Sequence, residues 1–469
     1  MIDLLRQHPR RQIALIEPAN GERVRYGELL ERADAAGAAL VAALGGRGLA
    51  FLAMGPDVDA VVLYLGCLGA RIPLCLAETQ PEPLARLARA YEPDLMLLPA
   101  ALSPPPGYRE HPSPVARYRA WVAESSGSRA LHQDLALLLT TSGSTGNPKL
   151  VRLTRRNLEA NARSIVEYLG IGPAECAIES LAMHYSYGLS VLNSHLLAGG
   201  SVVLTAHSFL RPEFWAVVDE ERCTSFAGVP YMYETLHRLR FDLTRHPAMR
   251  TLTQAGGGLR KDLAAHFHAL AVGAGARFFV MYGQTEATAR ISYVPPEALP
   301  RKIGSIGIAI PDGRLSLAAV EGSAGLMELV YEGPNVMLGY AESPADLALG
   351  DVQAGVLRTG DLGRVDEDGF FSLVGRLKRF AKLFGRRISL EDVERELEAA
   401  FPAHVAATDG GDRIVIHAEL EGAARPEDLG SHVAKQLSVP PGAVAVTVVK
   451  TLPRTSSGKK DYRALEVCG

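Results

Sequence analysis

The first hundred residues of the chain contain two kinds of apolar pattern, helical spacing and short continuous runs. Segments such as ELLERADAAGAALVAAL and VDAVVLYLGCLGA place apolar side chains at helical spacing, and short apolar runs such as LAFLAM and DLMLLP separate them. Helices between short buried strands are typical of βα units around a largely parallel sheet. From Tyr26 to Leu98 the pattern therefore predicts an α/β fold, and the turn-rich SPPPGYREHPSP that follows predicts a connection over the surface.

A hydroxyl-rich loop follows the next predicted strand, DLALLLTT. The loop TTSGSTGNPK, residues 140–149, places five hydroxyl side chains, two glycines and a lysine within ten residues. Hydroxyls, backbone N–H groups and lysine all donate hydrogen bonds, and glycine allows close approach, so the loop suits a phosphate. The next segment, LTRRNLEANARSIVEYLG, has helical spacing with Thr154 as its expected N-cap, so the loop is predicted to link a strand to a helix.

The alternative interpretation of this loop is a plain polar linker. Ligands of open α/β sheets gather near the carboxyl ends of strands, which favours the anion site over the linker. A Walker A loop needs lysine directly after its last glycine, whereas Asn147 and Pro148 separate Gly146 from Lys149. A kinase glycine loop needs HRD and DFG elements downstream, and neither tripeptide occurs in the chain.

Further strand and turn signals follow along the chain. SFAGVPYMYETL, TLTQAGGGL and RFFVMYGQTEA each predict a strand that ends in a glycine-containing turn. A hairpin turn at DEDG and a helix capped by Ser389 come next. The last hundred residues contain a strand RIVIHAEL, a helix around Val433, a strand AVAVTVV and the tail LPRTSSGKK. This order predicts a separate small domain.

Four motifs, in this order, resemble those of the adenylate-forming superfamily. This superfamily includes acyl- and aryl-CoA synthetases, adenylation domains of nonribosomal peptide synthetases and firefly luciferase. The motifs are TTSGSTGNPK, YGQTE, RTGD with GRLK, and LPRTSSGK. The resemblance runs from about Tyr26 to Leu465. It implies a large N-terminal domain, residues 1–376, of βα-type subdomains with a β-barrel-like part. A small mobile α+β domain, residues 377–469, would follow, with its hinge near Lys378.

The resemblance also implies a reaction in two halves. A carboxylate attacks the α-phosphate of ATP, pyrophosphate leaves, and the acyl-adenylate passes its acyl group to a thiol. The implied cofactors are ATP, Mg²⁺ and either coenzyme A or the phosphopantetheine of a carrier protein. Two anions must meet in the first half, so the site needs positive charge and oriented donors.

The resemblance also implies a role for individual residues, assigned from the motif in which each one stands. Glu286 would hold Mg²⁺, Thr285 would donate to the α-phosphate, and Lys459 would bridge the carboxylate and the α-phosphate in the transition state. Lys378 is the implied hinge, Lys382 the lysine of the second half-reaction, and Gly385 a residue of the thiol tunnel. The phosphate-binding residues are Thr141, Ser142, Gly143, Ser144, Thr145, Gly146 and Lys149, and the adenine and ribose residues are Gly257, Gly258, Tyr282, Gly283, Asp361 and Arg376.

The acid pocket is expected among AMHYSYGL, FAGVP, AGGGL and MYGQTE, with His184, Tyr185, Val229 and Gly256 as its candidate residues. Members that activate amino acids place an aspartate in the first of these segments, and none is present here. This favours an acid without an α-amino group. The chain departs from the family pattern at Tyr185, where a histidine often stands. For His184 a packed core histidine is an equally good interpretation.

Composition narrows the class of partner. The chain has 469 residues, 47% apolar and 22% charged, with a net charge of −3. It lacks a general electrostatic attraction to nucleic acid or anionic lipid, so a small carboxylic acid, and no nucleic acid or membrane, is the expected partner. We expect a cytoplasmic protein, because no signal peptide or membrane-spanning stretch is evident. Five scattered cysteines are expected to be reduced core residues: Cys67, Cys75, Cys176, Cys223 and Cys468.

Three functions compete at this point. The leading hypothesis is an acyl- or aryl-acid ligase that forms a thioester with coenzyme A. The second is a stand-alone adenylation enzyme that loads an acid or amino acid onto a separate carrier protein. The third is a non-catalytic nucleotide-binding protein, which the presence of Lys149, Glu286, Asp361, Arg376 and Lys459 disfavours. A luciferase-like oxygenase has no feature in its favour.

Overall fold

The chain folds into two compact units. The computed structural model describes residues 2–124, 130–140, 149–320, 325–377, 379–383, 386–411, 413–420, 422, 424–437, 439–455 and 459–466. Unit 1 comprises Met1–Arg314 and Tyr331–Leu357, and unit 2 comprises Leu315–Val330 and Arg358–Gly469. The functional boundary after residue 376 remains a prediction, because Lys378 lies outside the described residues.

The helices of the described residues vary from one turn to five turns. They are α1 (Ile2–Leu5), α2 (Tyr26–Leu44), α3 (Val58–Gly69), α4 (Pro81–Tyr91), α5 (Arg155–Leu169), α6 (Ser186–Leu197), α7 (Pro212–Glu220), α8 (Pro230–Arg238), α9 (Lys261–Gly273), α10 (Leu390–Ala400), α11 (Pro426–Leu437) and α12 (Tyr462–Glu466). None of these described helices has both the length and the apolar composition needed to cross a membrane.

The strands are mostly short. They are β1 (Ile13–Glu17), β2 (Glu22–Arg25), β3 (Ala50–Ala53), β4 (Leu74–Ala77), β5 (Leu95–Pro99), β6 (Tyr108–His111), β7 (Tyr118–Ala123), β8 (Leu135–Thr140), β9 (Leu150–Thr154), β10 (Cys176–Ile178), β11 (Ser201–Val203), β12 (Ser225–Gly228), β13 (Thr251–Gln254), β14 (Arg277–Tyr282), β15 (Ser292–Val294), β16 (Ile308–Ala309), β17 (Arg314–Ala319), β18 (Met327–Glu332), β19 (Gly339–Ala341), β20 (Val356–Val365), β21 (Phe371–Arg376), β22 (Phe380–Leu383), β23 (Arg386–Ser389), β24 (Ala403–Asp409), β25 (Ile414–Leu420) and β26 (Val444–Val448).

Unit 1 contains two large sheets. One has the strand order β16-β15-β14-β13-β12-β10-β11-β1-β2, and the other has the order β19-β9-β8-β4-β3-β5-β7-β6. The centre of each sheet is parallel, as the βα pattern predicts. Helix α3 packs against strands of both sheets and is buried along nearly its whole length, which explains its almost entirely apolar sequence.

Helices α2 and α3 cross closely because glycines stand at the crossing. A Cβ atom on Gly37 would lie 2.7 Å from the Gly66 carbonyl oxygen, and one on Gly66 would lie 2.8 Å from the Ala33 oxygen. Larger residues would therefore push the helices apart. The main core of unit 1 forms around this crossing.

Unit 2 contains smaller sheets. The four-stranded sheet β17-β18-β20-β21 falls for the most part within it, and the hairpin β22-β23 and the three-stranded sheet β24-β25-β26 belong to it entirely. Helices α10 and α11 pack on the three-stranded sheet around a core that includes Val405, Ile416 and Val433. The predicted α/β class, the strands of the tail and the cap at Ser389 are confirmed, with the Ser389 side chain accepting a hydrogen bond from the Asp392 N–H.

Two local predictions were wrong. The segment predicted as a plain surface connection contains β6, which pairs antiparallel with β7 at the sheet edge. The hydroxyl-rich loop connects β8 to the antiparallel β9, and α5 begins only after β9, with Thr154 in the predicted capping position. In both cases a short strand gains its stability from pairing with a neighbour, which local periodicity does not show. Cys67, Cys75, Cys176 and Cys223 are buried free thiols, and Cys468 lies outside the described residues.

Candidate active site

The carboxyl ends of three parallel strands of unit 1 lie side by side. In the sheet register Gly228 of β12 pairs with Gln254 of β13, and Gln254 pairs with Val280 of β14. The segments that follow these strands therefore begin at one edge of the sheet. They carry the predicted residues Val229, Gly256, Gly257, Gly258 and Gly283, and Tyr282 is the last residue of β14. This edge is where an α/β sheet offers a ligand site.

The turn after β14 accepts only glycine at its second position. A Cβ atom at Gly283 would lie 1.7 Å from the carbonyl oxygen of Ala289. The chain then forms one short 3₁₀ turn, Thr285–Ala287, and Thr288 adopts a positive φ of 62°. The tight turn brings the backbone back on itself and presents Thr285 and Glu286 at the sheet edge.

Asn335 holds this turn in place. Its side-chain Nδ2 donates to the backbone carbonyl oxygens of Ala287 at 2.8 Å and Arg290 at 2.9 Å. Its backbone carbonyl oxygen accepts from the Thr288 hydroxyl at 2.6 Å. Because Asn335 is 1% exposed, these bonds are protected from water. The position of Glu286 is thus fixed by a residue that is distant in sequence.

Tyr340 connects two of the predicted site residues. Its hydroxyl donates to Glu286 Oε1 at 2.6 Å, and Lys149 Nζ lies 3.6 Å from the centre of its ring. Lys149 Nζ also lies 2.8 Å from Glu342 Oε1. Burial, followed by the Glu286 charge, raises the pKa of Tyr340, so the phenol remains a neutral donor at pH 7. Tyr340 therefore contacts both residues, Lys149 over its ring face and Glu286 at its hydroxyl.

Sequence reasoning missed Tyr340, Glu342 and Asn335. Tyr340 is 54 positions from Glu286 and lies on β19, an edge strand that pairs with β9 directly after Lys149. The only signal in the sequence was an aromatic residue in a short strand after a Pro-Asn turn, and this pattern does not indicate its partner.

Thr285 meets the start of helix α6. Its Oγ1 lies 3.2 Å from the Ser186 hydroxyl, and Ser186 is the first residue of α6. The residue before it, Tyr185, approaches Gly256, where a Cβ atom would lie 2.8 Å from the Tyr185 hydroxyl and 3.1 Å from Val229 Cγ1. Three of the four predicted acid-pocket residues, Tyr185, Val229 and Gly256, therefore come together.

The fourth, His184, is a neutral group. Its Nδ1 is buried and has no hydrogen-bond partner among the described residues, and burial lowers the pKa of His184 to about 4. At pH 7 the imidazole is therefore uncharged. His184 cannot supply a positive charge for a carboxylate, but its Nδ1 remains able to make one hydrogen bond.

The donor set around Glu286 fits one kind of metal. Among the described residues there is no group of three or more His, Cys, Asp and Glu side chains that could enclose a cation. Glu286 Oε1 accepts from Tyr340, and no described residue bonds its Oε2. A single hard carboxylate oxygen fits Mg²⁺, because this ion needs only one or two protein carboxylates when substrate phosphates supply other oxygens.

Within unit 2 the structure pairs Asp361 with Arg376. They are opposite each other in the register of β20 and β21, and Arg376 Nε lies 2.8 Å from Asp361 Oδ1. The Asp361 side chain is 2% exposed and that of Arg376 is 53% exposed. Arg376 Nε also lies 3.7 Å from Glu391 Oε1. A buried carboxylate with a surface guanidinium beside it can take the hydroxyls of a sugar.

Lys459 of unit 2 bonds with Thr455. The N–H of Thr455 donates to the Lys459 carbonyl oxygen at 2.8 Å, and the Lys459 N–H lies 3.3 Å from Thr455 Oγ1. A bridge pairs Arg454 with Lys460. Hydrogen bonds of its backbone therefore hold Lys459 in place. The next residue, Lys460, is anchored by ion pairs with Glu394 and Glu398.

Several predicted residues cannot be placed. Lys382 lies in β22, but its side chain is outside what the structure describes. Outside the described residues altogether are Thr141, Ser142, Gly143, Ser144, Thr145, Gly146, Lys378 and Gly385.

Comparison with known proteins identifies the family. Residues 4–341 match the model of the AMP-binding enzymes. The chain is 32% identical over 339 residues to sulfoacetate–CoA ligase of Cupriavidus necator, which covers 69% of this chain and 65% of the relative. It is 34% identical over 273 residues to feruloyl-CoA synthase of an Amycolatopsis species, which covers 56% of this chain and 54% of the relative. The chain thus spans less than two thirds of the length of these relatives.

The fold also matches solved structures. The o-succinylbenzoate coenzyme A synthetase of Bacillus subtilis, in complex with ATP and magnesium ion, superposes with a TM-score of 0.78 at 22% identity. The superposition covers 99% of this chain and 98% of the other. The fold is therefore that of an adenylate-forming enzyme, as the motifs predicted. Since the family model matches well over half of the chain, this protein belongs to the AMP-binding enzyme family.

Proposed function

We propose that this chain activates a carboxylic acid with ATP, forming an acyl-adenylate and pyrophosphate, and then transfers the acyl group to the thiol of coenzyme A. The observation that carries the proposal is the cluster of Lys149, Tyr340 and Glu286 beside the carboxyl ends of β13 and β14. It combines a cation, a donor and a metal-binding carboxylate at the edge where a nucleotide would bind. Family membership supports the same conclusion.

In the first half-reaction an oxygen of the acid attacks the α-phosphorus, and the bond to the bridging oxygen of pyrophosphate breaks. Lys149 would exchange Glu342 for the β- and γ-phosphate oxygens and offset the charge of the leaving group. Glu286 would hold Mg²⁺, which when bound would supply further positive charge at the phosphates. Thr285, which Ser186 positions, would donate to an α-phosphate oxygen.

Asp361, Arg376 and Lys459 of unit 2 complete the proposed set. Asp361 would accept from the ribose hydroxyls, with Arg376 steadying the same sugar. Lys459 would donate to both the attacking carboxylate and the α-phosphate. Because this contact is strongest in the transition state, Lys459 would affect the rate of adenylation far more than the affinity for ATP.

In the second half-reaction a thiolate attacks the acyl carbonyl carbon, and AMP leaves with the electron pair of the acyl–phosphate bond. Residues 377–469 are proposed as the lid that makes room for the thiol, with the hinge at Lys378. Gly385 would line the thiol path, and Lys382 would serve this half-reaction. The phosphopantetheine arm of a carrier protein is the alternative acceptor, because it presents the same thiol.

Pyrophosphate release tests the first half of the proposal. The full chain is supplied with ATP, Mg²⁺ and a panel of aliphatic, aromatic and dicarboxylic acids, and thioester formation is then compared with coenzyme A and with a phosphopantetheine-loaded carrier protein. We expect pyrophosphate with a subset of the acids and a thioester with coenzyme A. A thioester formed only on the carrier would replace coenzyme A as acceptor.

Matched variants test the residue roles. Lys459→Ala should lower the rate of adenylate formation by about 100-fold or more, while the Kd for ATP changes by about threefold or less. Lys435→Ala, an exposed lysine on α11, is the control and should leave both unchanged. If the wild-type chain bound ATP but released no pyrophosphate with any acid, the protein would be a non-catalytic nucleotide binder.

A further inference from the structure

Unit 1 contains a buried arginine with no carboxylate partner. Arg290 is 2% exposed, its Nε has no hydrogen-bond partner, and it forms no ion pair among the described residues. Arginine keeps its charge in any protein environment, so burial without a counter-ion is unfavourable. A buried unpaired cation of this kind is expected where a ligand supplies the missing negative charge.

The backbone holds Arg290 rigidly. Its carbonyl oxygen accepts from Asn335 Nδ2 at 2.9 Å and from Asn161 Nδ2 at 3.2 Å. The preceding residues, Thr288 and Ala289, both have positive φ. Arg290 therefore cannot easily turn outward to water, because its main chain is tied to the same network that fixes Glu286.

The Arg290 guanidinium packs against an aromatic ring. The Arg290 Cζ lies 4.0 Å from the centre of the Tyr187 ring. Burial raises the pKa of Tyr187 to about 12 and that of Tyr168, the other nearby phenol, to about 12. Both hydroxyls are neutral at pH 7, so neither balances the charge of Arg290. The Tyr187 ring compensates part of the lost hydration through a cation–π contact.

Arg290 lines a small cavity of about 20 Å³ between α5, α6 and the sheet. This space admits a water or one small polar group rather than a chain. Two other ionisable groups line it, and both are engaged. His195 contacts the Val191 carbonyl oxygen and the Ser225 hydroxyl, and Glu175 accepts from the Thr224 hydroxyl.

Contacts between rings connect this cavity to the proposed acid site. The Tyr185 ring, which approaches Gly256, meets the Tyr187 ring edge-on at 6.3 Å. Tyr187 in turn donates to the Thr253 carbonyl oxygen at 2.9 Å and carries Arg290 on its face. Thr253 lines the cavity and lies three residues before Gly256. The Tyr187 ring therefore contacts both Arg290 and Tyr185 of the proposed acid pocket.

We propose that Arg290 receives a second anionic group of the acid substrate, so that the preferred substrates are short acids with a negatively charged group at the far end. This inference rests on the proposed function. The planar guanidinium matches a carboxylate in two parallel hydrogen bonds. Because the cavity is small, only the terminal group would enter it, and the reacting carboxylate would remain on the Thr285 side of Tyr185.

Matched acids test this inference in the full-length enzyme. Pyrophosphate release is measured with malonate, succinate, glutarate and adipate, and with the monoamide of each. The two acids of a pair have the same length and differ only in the distal charge. We expect at least one dicarboxylate whose kcat/KM exceeds that of its monoamide by about 100-fold, because a site built for a charged group rejects its neutral analogue.

Variants then assign this preference to Arg290. Arg290→Gln should reduce the ratio of the two kcat/KM values in that pair to about threefold or less. Arg290→Lys should leave an intermediate ratio, since the positive charge stays but the two parallel N–H donors of the guanidinium are lost. Arg277→Gln is the matched control. Arg277 lies outside the cavity, bonded to the Leu169 carbonyl oxygen and the Thr251 hydroxyl, and its loss should leave the ratio unchanged.

Three results would overturn the inference. The first is a wild-type enzyme that releases pyrophosphate with simple monocarboxylates but prefers no dicarboxylate over its monoamide. The second is an unchanged ratio in Arg290→Gln, which would make Arg290 a packing residue. Either result leaves the proposed function intact. The third is no pyrophosphate with any acid, which would remove the proposed function together with this inference.

Discussion

Each unit contains a largely buried cation, but the two cations have different surroundings. Lys460 of unit 2 is enclosed by anions, with its Nζ 3.1 Å from Glu394 Oε2 and 2.9 Å from Glu398 Oε1. Arg290 of unit 1 contacts an aromatic ring and forms no ion pair with a carboxylate in the described part of the chain. The difference predicts that the charge in unit 2 stabilises the fold, whereas on our inference the charge in unit 1 serves to bind a ligand.

The surroundings of Lys460 form a closed network, which we call the Glu394 cluster and which comprises Glu394, Glu398, Arg379, Lys460 and Tyr462. Arg379 lies 2.7 Å from Glu394 and stacks on the Tyr462 ring, and the Tyr462 hydroxyl donates to Glu394 at 3.0 Å. Every charge in it has a partner. Because Lys459 precedes Lys460, the cluster anchors the loop that carries the proposed catalytic lysine.

Glu394→Ala should cause the largest loss of stability among these variants. It removes the buried carboxylate that pairs with both Lys460 and Arg379, and we expect unit 2 to lose about 3 kcal/mol of stability. Both tryptophans, Trp121 and Trp215, lie in unit 1, so hydrogen exchange of α10 and β24 is the appropriate measurement. Glu396→Gln, a half-exposed position on the same helix, should cost less than about 0.5 kcal/mol. Equal losses in the two variants would contradict the contrast between the units.

Lys460→Met should cost about 2 kcal/mol in the same exchange measurement, because it removes one of the two cations that Glu394 pairs with. The double variant with Glu394→Ala should lose less than the sum of the two, by about 1 kcal/mol or more, since both changes remove the same pair. Lys435→Met, an exposed lysine of unit 2, is the control. Additive losses would mean that Lys460 and Glu394 do not stabilise each other.

Glu179 of unit 1 and Glu394 of unit 2 should respond to pH in opposite directions. Burial raises the pKa of Glu179, and neither of its oxygens makes a well-formed hydrogen bond with a described residue. Burial acts the same way on Glu394, but Lys460 and Arg379 outweigh it and lower its pKa. The contribution of Glu179 to stability is thus present below its ordinary pKa and lost as pH rises. That of Glu394 is present above its ordinary pKa and lost as pH falls.

Glu179→Met should therefore stabilise unit 1 at pH 7, on the order of 1 kcal/mol, with a smaller gain near pH 4. Urea unfolding followed by tryptophan fluorescence at the two pH values measures this change. Glu167→Met, at an exposed position on α5, should show no such dependence. A gain that is the same at both pH values would show that folding does not raise the pKa of Glu179.

Arg290→Met should have the smallest effect on stability. It removes a cation–π contact but also an unpaired buried charge, so we expect a net change below about 1 kcal/mol. Urea unfolding by tryptophan fluorescence measures it, and Arg277→Met provides the comparison. A loss as large as that of Lys460→Met would assign Arg290 to the fold and would remove the contrast between the two cations.

Much of the fold was predictable because its signals are local. The spacing of apolar residues predicted α2, α3 and α10, and the caps Thr154 and Ser389 were found where expected. The strands β12, β13 and β14 were recognisable from apolar runs that end in glycine. The strands β6 and β9 were not, because their short sequences become strands only by pairing with a neighbour.

The candidate site was predictable only in part. Lys149, Thr285 and Glu286 could be selected from ordered motifs, but their positions depend on Tyr340, Asn335 and other residues whose partners are far apart along the chain. The phosphate loop, residues 141–148, lies outside the described residues, so its roles remain predictions.

The sequence by itself determined the fold class, the order of the motifs and the family, since these depend on short-range periodicity and on residue types at fixed spacings. Only the tertiary structure decided which charges have partners. Nothing in the sequence near Arg290 or Lys460 distinguishes a paired cation from an unpaired one. Their counter-ions, where present, come from distant segments, and packing alone brings those segments into contact.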